Sequence, residues 1–285
     1  MPEKNCSDTV LPNFLLIGAQ KAGTTALSKF LRQHLEICFS RPKETWFFSR
    51  NYNRGIEWFA SHFEHYEGET AIGEGSTVLS SPEAPERIAS HLPNVQLICI
   101  LRNPIERAFS QYHYYLYTGN VVEIRAFGEV IRDESSEFGR DLIDRGRYIR
   151  HLRRYEKYFS RDQIKVVFHR ALRNDAQNLL RHLYEVIGVD SSFIPDTKNQ
   201  SNVTKYPSSR MAYALLRKGW KTVSSSFDRW MPVLADTLRG TAREVLFDRE
   251  KPEIKDEDRA YLKDLYKPYN RELERWLGTD LSHWK

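Results

Sequence analysis

The 285-residue sequence predicts an α/β fold, a doubly wound parallel sheet flanked by helices, and three observations carry that expectation. Phe14-Leu15-Leu16-Ile17 is a short apolar run that ends at Gly18, with helical spacing following through Ala26, Leu27, Phe30 and Leu31. The same grammar returns in the β-prone run Val95-Gln96-Leu97-Ile98-Cys99-Ile100-Leu101, after which a helix opens at Asn103-Pro104-Ile105-Glu106. A third run, Ile164-Lys165-Val166-Val167-Phe168, precedes a helical stretch over 176–187. Strands that alternate with helices pair in parallel, because each return to the sheet passes through a crossover.

Taken in order, the first junction reads as strand, tight loop and a helix over 24–34, with Gly18 and Gly23 supplying the turn. At the second, Asn103 is a capping residue, Pro104 suits the first helical position and Glu106 extends a capping-box-like pattern. Between the second and third strands, apolar and aromatic residues recur three or four apart over 148–159, another helix. Residues 223–255 mix serines, charges, Pro232 and Pro252, and read as a variable helical insert within one domain spanning 1–285.

Composition narrows the function classes. A chain with 40% hydrophobic and 13% aromatic residues buries one substantial core and has no need of a second domain. A net charge of +5 is small for a dedicated nucleic-acid binder and suits an enzyme that handles anionic ligands. No apolar run approaches the roughly 20 residues that span a bilayer, and residues 1–10 lack the pattern of a secretory signal. Cys6, Cys38 and Cys99 have neither an even count nor CxxC spacing, so neither a disulfide framework nor a metal site is expected and cytoplasmic residence is the default.

Gly18-Ala19-Gln20-Lys21-Ala22-Gly23-Thr24-Thr25 lies between a strand and a helix, where backbone N–H groups and the helix dipole form an anion site. The loop is P-loop-like, matching GxxxxGK[ST] except that Thr24 stands in place of the lysine that reaches β- and γ-phosphates. A nucleotide triphosphatase or small-molecule kinase is therefore disfavoured. Lys21 offers a cation from inside the loop, suited to one 5'-phosphate and the group it carries, and no Mg²⁺ bridge is needed.

The run from Phe14 to Thr25 resembles the 5'-phosphosulfate loop of sulfotransferases that use 3'-phosphoadenosine 5'-phosphosulfate (PAPS), and is most similar to the heparan sulfate sulfotransferase-like branch and its bacterial relatives. The resemblance implies that Lys21, Ala22, Gly23, Thr24 and Thr25 enclose the 5'-phosphosulfate, with Lys21 also assisting the chemistry. Leu101-Arg102-Asn103-Pro104 through Ser110 is similar to the family's 3'-phosphate motif, which gives Arg102 and Ser110 that role. An arginine at a strand's carboxyl end makes charge-assisted, bidentate contacts to phosphate, and a helical serine donates another hydrogen bond.

Arg41-Pro42-Lys43-Glu44-Thr45-Trp46-Phe47-Phe48 resembles the branch's lysine–glutamate–aromatic segment, where the glutamate is the general base, and so implies that Glu44 deprotonates the acceptor. His113 is a lesser candidate for proton transfer, because other branches use a histidine. Asn199-Gln200-Ser201-Asn202-Val203-Thr204-Lys205 looks like the late nucleotide-contacting loop, which adds Asn202 and Lys205. Where relatives carry an acidic residue after the third strand this chain has His169-Arg170, and Trp284 reads as core packing. The resemblance implies in-line transfer of a sulfuryl group to an acceptor hydroxyl or amine, first of all on a carbohydrate. A small metabolite, a lipid or a carrier-bound acyl chain is the alternative acceptor, and an inactive nucleotide-binding module is the alternative outside catalysis.

Overall fold

The computed structural model describes residues 9–118, 125–197, 206–207, 247–248 and 252–284. Contacts group into two compact units, where the sequence reading drew a single domain. The first comprises 1–107, 147–202 and 266–285, and the second 108–146 and 203–265.

The first unit is built on a five-stranded sheet of β1 (Phe14–Gly18), β2 (Ile37–Phe39), β3 (Ala71–Glu74), β4 (Gln96–Leu101) and β5 (Ile164–Phe168). Every pairing is parallel and the order is β2-β3-β1-β4-β5. Strands buried on both faces read as continuous apolar runs rather than alternating ones, and β1 is buried at all five positions. The three strands expected from the sequence are all present, flanked by α1 (Thr24–Leu31), α3 (Ala84–His91), α7 (Tyr148–Tyr155), α8 (His169–Asn174) and α9 (Ala176–Ile187). α1 and α7 stop short of the predicted 34 and 159, whereas α9 matches the expected 176–187. A short helix, α2 (Ile56–Ala60), lies between β2 and β3.

β2 and β3 were not expected. β2 has only three residues and β3 carries a glycine and a glutamate, so neither makes an apolar run. They form because the centre of the sheet demands them: Phe14 pairs with Gly73, and a Cβ on Gly73 would lie 2.1 Å from the Phe14 ring. Only a glycine in β3 lets that ring reach Phe39, at 6.0 Å between centroids. With β1 central, the chain passes to one side for β2 and β3 and to the other for β4. In open α/β sheets the carboxyl ends of strands at such a reversal form the binding crevice, and β1 and β4 are the two strands whose following loops carry the anion motifs.

Core packing explains the closing tryptophan. Trp284 is 4% exposed, with its ring 6.0 Å from Tyr148 and 5.9 Å from Phe168, so it packs as the sequence reading held.

The second unit contains α5 (Phe127–Arg132), α6 (Glu137–Asp144) and a two-stranded antiparallel pair, Tyr206–Pro207 with Phe247–Asp248. Gln111 and Arg145 both bond Asp141, at 2.8 and 2.7 Å, and Arg132 pairs with Asp258. The insert expected at 223–255 lies outside the described residues apart from 247–248 and 252–255.

Candidate active site

The loop after β1 has the shape its glycines allow. Gly18 and Gly23 sit at φ +148° and +103°, and a Cβ on either would meet Leu79 at 2.9 Å or His169 at 3.0 Å. Ala19 N–H donates to Ile100 O at 2.7 Å, tying the loop to β4. Gly23 is the left-handed N-cap of α1 and provides no side-chain cap, leaving the first-turn amides of the helix to a ligand.

Among the described residues only Lys21 and Trp46 are non-glycines with φ above zero, at 65° and 55°. Such conformations cost about 1–3 kcal/mol each and persist where surrounding contacts over-determine them, often at functional sites. Both fall in segments singled out from the sequence. Burial, and then the neighbouring Arg102 guanidinium, lower the pKa of Lys21 to about 8.

Arg102 follows β4. Its Nη1 donates to Lys21 O at 3.2 Å, and Nη2 lies 3.7 Å from Glu106 Oε2. Tyr148 Oη donates to Arg102 O at 2.7 Å, fixing the strand end. α4 (Pro104–Thr118) begins as the sequence predicts, with Asn103 Oδ1 accepting from Ile105 N at 2.9 Å. His169, at the start of α8, is held near pKa 4 by burial and by Arg102 and Arg173. A neutral imidazole thus stands behind Gly23, at the position where the sequence departs from the family pattern.

The segment after β2 brings Glu44 to the loop. Lys43 Nζ donates to Glu44 Oε1 at 2.7 Å and to Thr24 Oγ1 at 3.3 Å, which joins the candidate base to the first residue of α1. The pair is partly exposed, at 16% and 32%, so the carboxylate can meet an acceptor. Thr25 is exposed beside buried Thr24 and Ala22.

The structure therefore brings together Lys21, Ala22, Gly23, Thr24, Thr25, Glu44 and Arg102. Ser110 and His113 belong to the second unit, on the later turns of α4, and both are buried. The His113 ring packs 4.4 Å from Phe109 and 4.9 Å from Tyr112, and His113 lines a cleft with Phe127, Arg132 and Asp258. Asn202 and Lys205 lie outside the described residues. Sequence reasoning passed over Glu74 and Ser76, which hold the Glu44 segment from behind. The available signal was a glutamate and a serine around a glycine, Glu74-Gly75-Ser76, directly after Ala71-Ile72-Gly73.

A parallel α/β sheet with an anion loop, a second cation at the adjacent strand end and a carboxylate held against the loop defines a group-transfer protein. The family model described as "Sulfotransferase domain" matches residues 11–228, and the chain belongs to the sulfotransferase family. It is 30% identical over 249 residues to the bifunctional heparan sulfate N-deacetylase/N-sulfotransferase 1 of Caenorhabditis elegans, covering 84% of this chain and 28% of the relative. To bifunctional heparan sulfate N-deacetylase/N-sulfotransferase 4 of Mus musculus it is 28% identical over 301 residues, covering 99% of this chain and 32% of that protein. The chain thus spans about a third or less of the length of these curated relatives. The crystal structure of a sulfotransferase from Alicyclobacillus acidocaldarius shares the fold, with a TM-score of 0.72 at 24% identity over 96% of this chain and 99% of that one. Among the described residues no helix is long and apolar enough to cross a membrane.

Proposed function

We propose that this chain transfers a sulfuryl group from PAPS to an amine or hydroxyl of a carbohydrate, in the cytoplasm. The observation that carries the reading is the Glu44–Lys43–Thr24 contact, in which Lys43 links the Glu44 carboxylate to the start of α1, and it supports reading Glu44 as the base beside the loop that carries Lys21. The residues fit the donor: a loop with an uncapped helix start receives the 5'-phosphosulfate, and Arg102 lies one strand away for a second phosphate. The glycan acceptor rests on the relatives, whose names specify N-sulfotransfer on heparan sulfate. Cytoplasmic residence rests on the free buried thiols of Cys38 and Cys99, suited to a reducing compartment.

PAPS, when bound, supplies an activated sulfuryl group on a phosphate leaving group. Glu44 takes the proton from the acceptor N–H or O–H as the new bond to sulfur forms. Lys21 and the loop amides stabilise the negative charge that gathers on the leaving oxygen as the old bond breaks. Lys43 holds the Glu44 carboxylate toward α1 and Arg102 orients the nucleotide, so the reactants meet in line.

The test is the product's mass after incubating the protein with PAPS and a panel of heparan chains bearing free glucosamine amines, simple sugars, phenols, lipids and carrier-bound acids. A glycan that gains one SO₃ supports the reading, and transfer only to another acceptor class replaces the carbohydrate. Phosphorylated product from ATP with Mg²⁺ sinks it. Glu44→Gln should bind PAPS normally and lose about a hundredfold or more in turnover, the scale of a general base.

A further inference from the structure

Glu74, the last residue of β3, is 2% exposed and sits behind the segment that carries Glu44. Its Oε1 accepts from Thr45 N at 2.9 Å, from Thr45 Oγ1 at 3.0 Å and, in a very short contact, from Ser76 Oγ, while Oε2 accepts from Ser76 N at 3.0 Å. Burial raises this carboxyl's pKa, and these donors offset the rise only in part. A carboxylate, which only accepts, suits four donors.

The same cluster fixes the backbone on both sides of Glu44. Ser76 Oγ, turned by its bond to Glu74, accepts from Trp46 N at 2.7 Å, at the residue held at φ 55°. Asn51 Nδ2 donates to Thr45 O at 2.6 Å, and Gly75 N and Ser40 Oγ donate to Lys43 O at 3.2 and 3.1 Å. Thr45 and Trp46 therefore have almost no freedom, and the direction in which Glu44 leaves the chain is set from β3.

We propose that Glu74 is a positioning residue for transfer, holding Thr45 and Trp46 so that Glu44 stands against Lys43 and the anion loop. At 2% exposure its carboxylate has almost no surface to offer to PAPS or to the acceptor. A glutamine here presents an N–H pair to backbone or hydroxyl donors whichever way it is turned, so the segment must shift. Misplacement of a catalytic group by about 1 Å can cost about a hundredfold in rate.

The inference rests on Glu44 as the base, and a four-variant cycle separates the two. Turnover of PAPS with the acceptor identified by product mass is measured for wild type, Glu74→Gln, Glu44→Gln and the double variant, with calorimetric affinity for adenosine 3',5'-bisphosphate. Glu74→Gln should lower kcat by about tenfold to a hundredfold, leave nucleotide affinity within about twofold, and cost nothing further once Glu44 is glutamine. Wild-type kcat in folded Glu74→Gln overturns the proposal, as does an equal loss in both backgrounds, the mark of a merely structural role. Should Glu74→Gln fail to fold, Thr45→Val keeps the shape, deletes one donor to Glu74 and should show the same non-additivity with Glu44→Gln. Normal turnover in Glu44→Gln alone removes the base and the positioning role together, whereas a slow Glu44→Gln beside a normal Glu74→Gln removes only the latter.

Discussion

The junctions after β1 and β4 are built from the same strand-turn-helix grammar and would offer an anion different groups. After β1 the helix starts on Gly23, whose left-handed backbone caps nothing with a side chain, and the loop before it carries Lys21. After β4 the helix starts on Asn103, whose carboxamide already takes the Ile105 amide, and the cation beside it is the Arg102 side chain. A glycine-started helix offers its backbone, and an asparagine-capped one has spent it. The two are nonetheless joined, because Arg102 donates to Lys21 O and helps to lower the pKa of Lys21.

The sharpest break in this comparison is Lys21→Ala, which should reduce kcat by about 10²–10³ through lost charge stabilisation at the leaving oxygen, with a smaller change in nucleotide affinity. Single-turnover kinetics checks it, and a loss confined to affinity would make the loop a binding device only. Arg102→Ala should do the reverse. Charge-assisted hydrogen bonds to phosphate are worth about 1.5–3 kcal/mol each, so affinity for adenosine 3',5'-bisphosphate should fall about 10- to 100-fold by calorimetry. Unchanged affinity would remove the second junction from the site.

The coupling between the junctions is visible in pH. With Lys21 near pKa 8 in the free protein, its ammonium is present below that value and lost above it, whereas a bound anion favours the charged form. Nucleotide affinity should be level below pH 8 and fall above it by up to about tenfold per unit as binding takes up a proton. In Arg102→Ala the break should move to higher pH, since one of the two causes of the depression is gone. A profile flat from pH 7 to 10 in wild type would refute the assignment. The smallest effect belongs to the cap: Asn103→Ala should lower stability by about 1 kcal/mol in denaturant unfolding and leave turnover nearly unchanged. A large catalytic loss there would mean that Asn103, too, faces the ligand.

Local residue order was enough for β1, β4 and β5, for α9 and for both strand-turn-helix junctions, because continuous apolar runs, glycine turns and a capping asparagine act over a few residues. The same order marked Lys21 and Arg102, which lie at the ends of those runs. It also marked Glu44, but only through resemblance, since Lys-Glu beside aromatics carries no physical signature of its own. What the tertiary structure alone decided was the edge of the sheet and the support of the Glu44 segment. β2 and β3 contain too few apolar residues to announce themselves and exist because β1 needs a neighbour, with Gly73 making room for Phe14. Glu74 becomes intelligible only when β3 is laid beside the Glu44 segment, 30 residues back along the chain, for a buried carboxylate is stable only where folding brings it donors, and those donors come from Thr45 as well as Ser76.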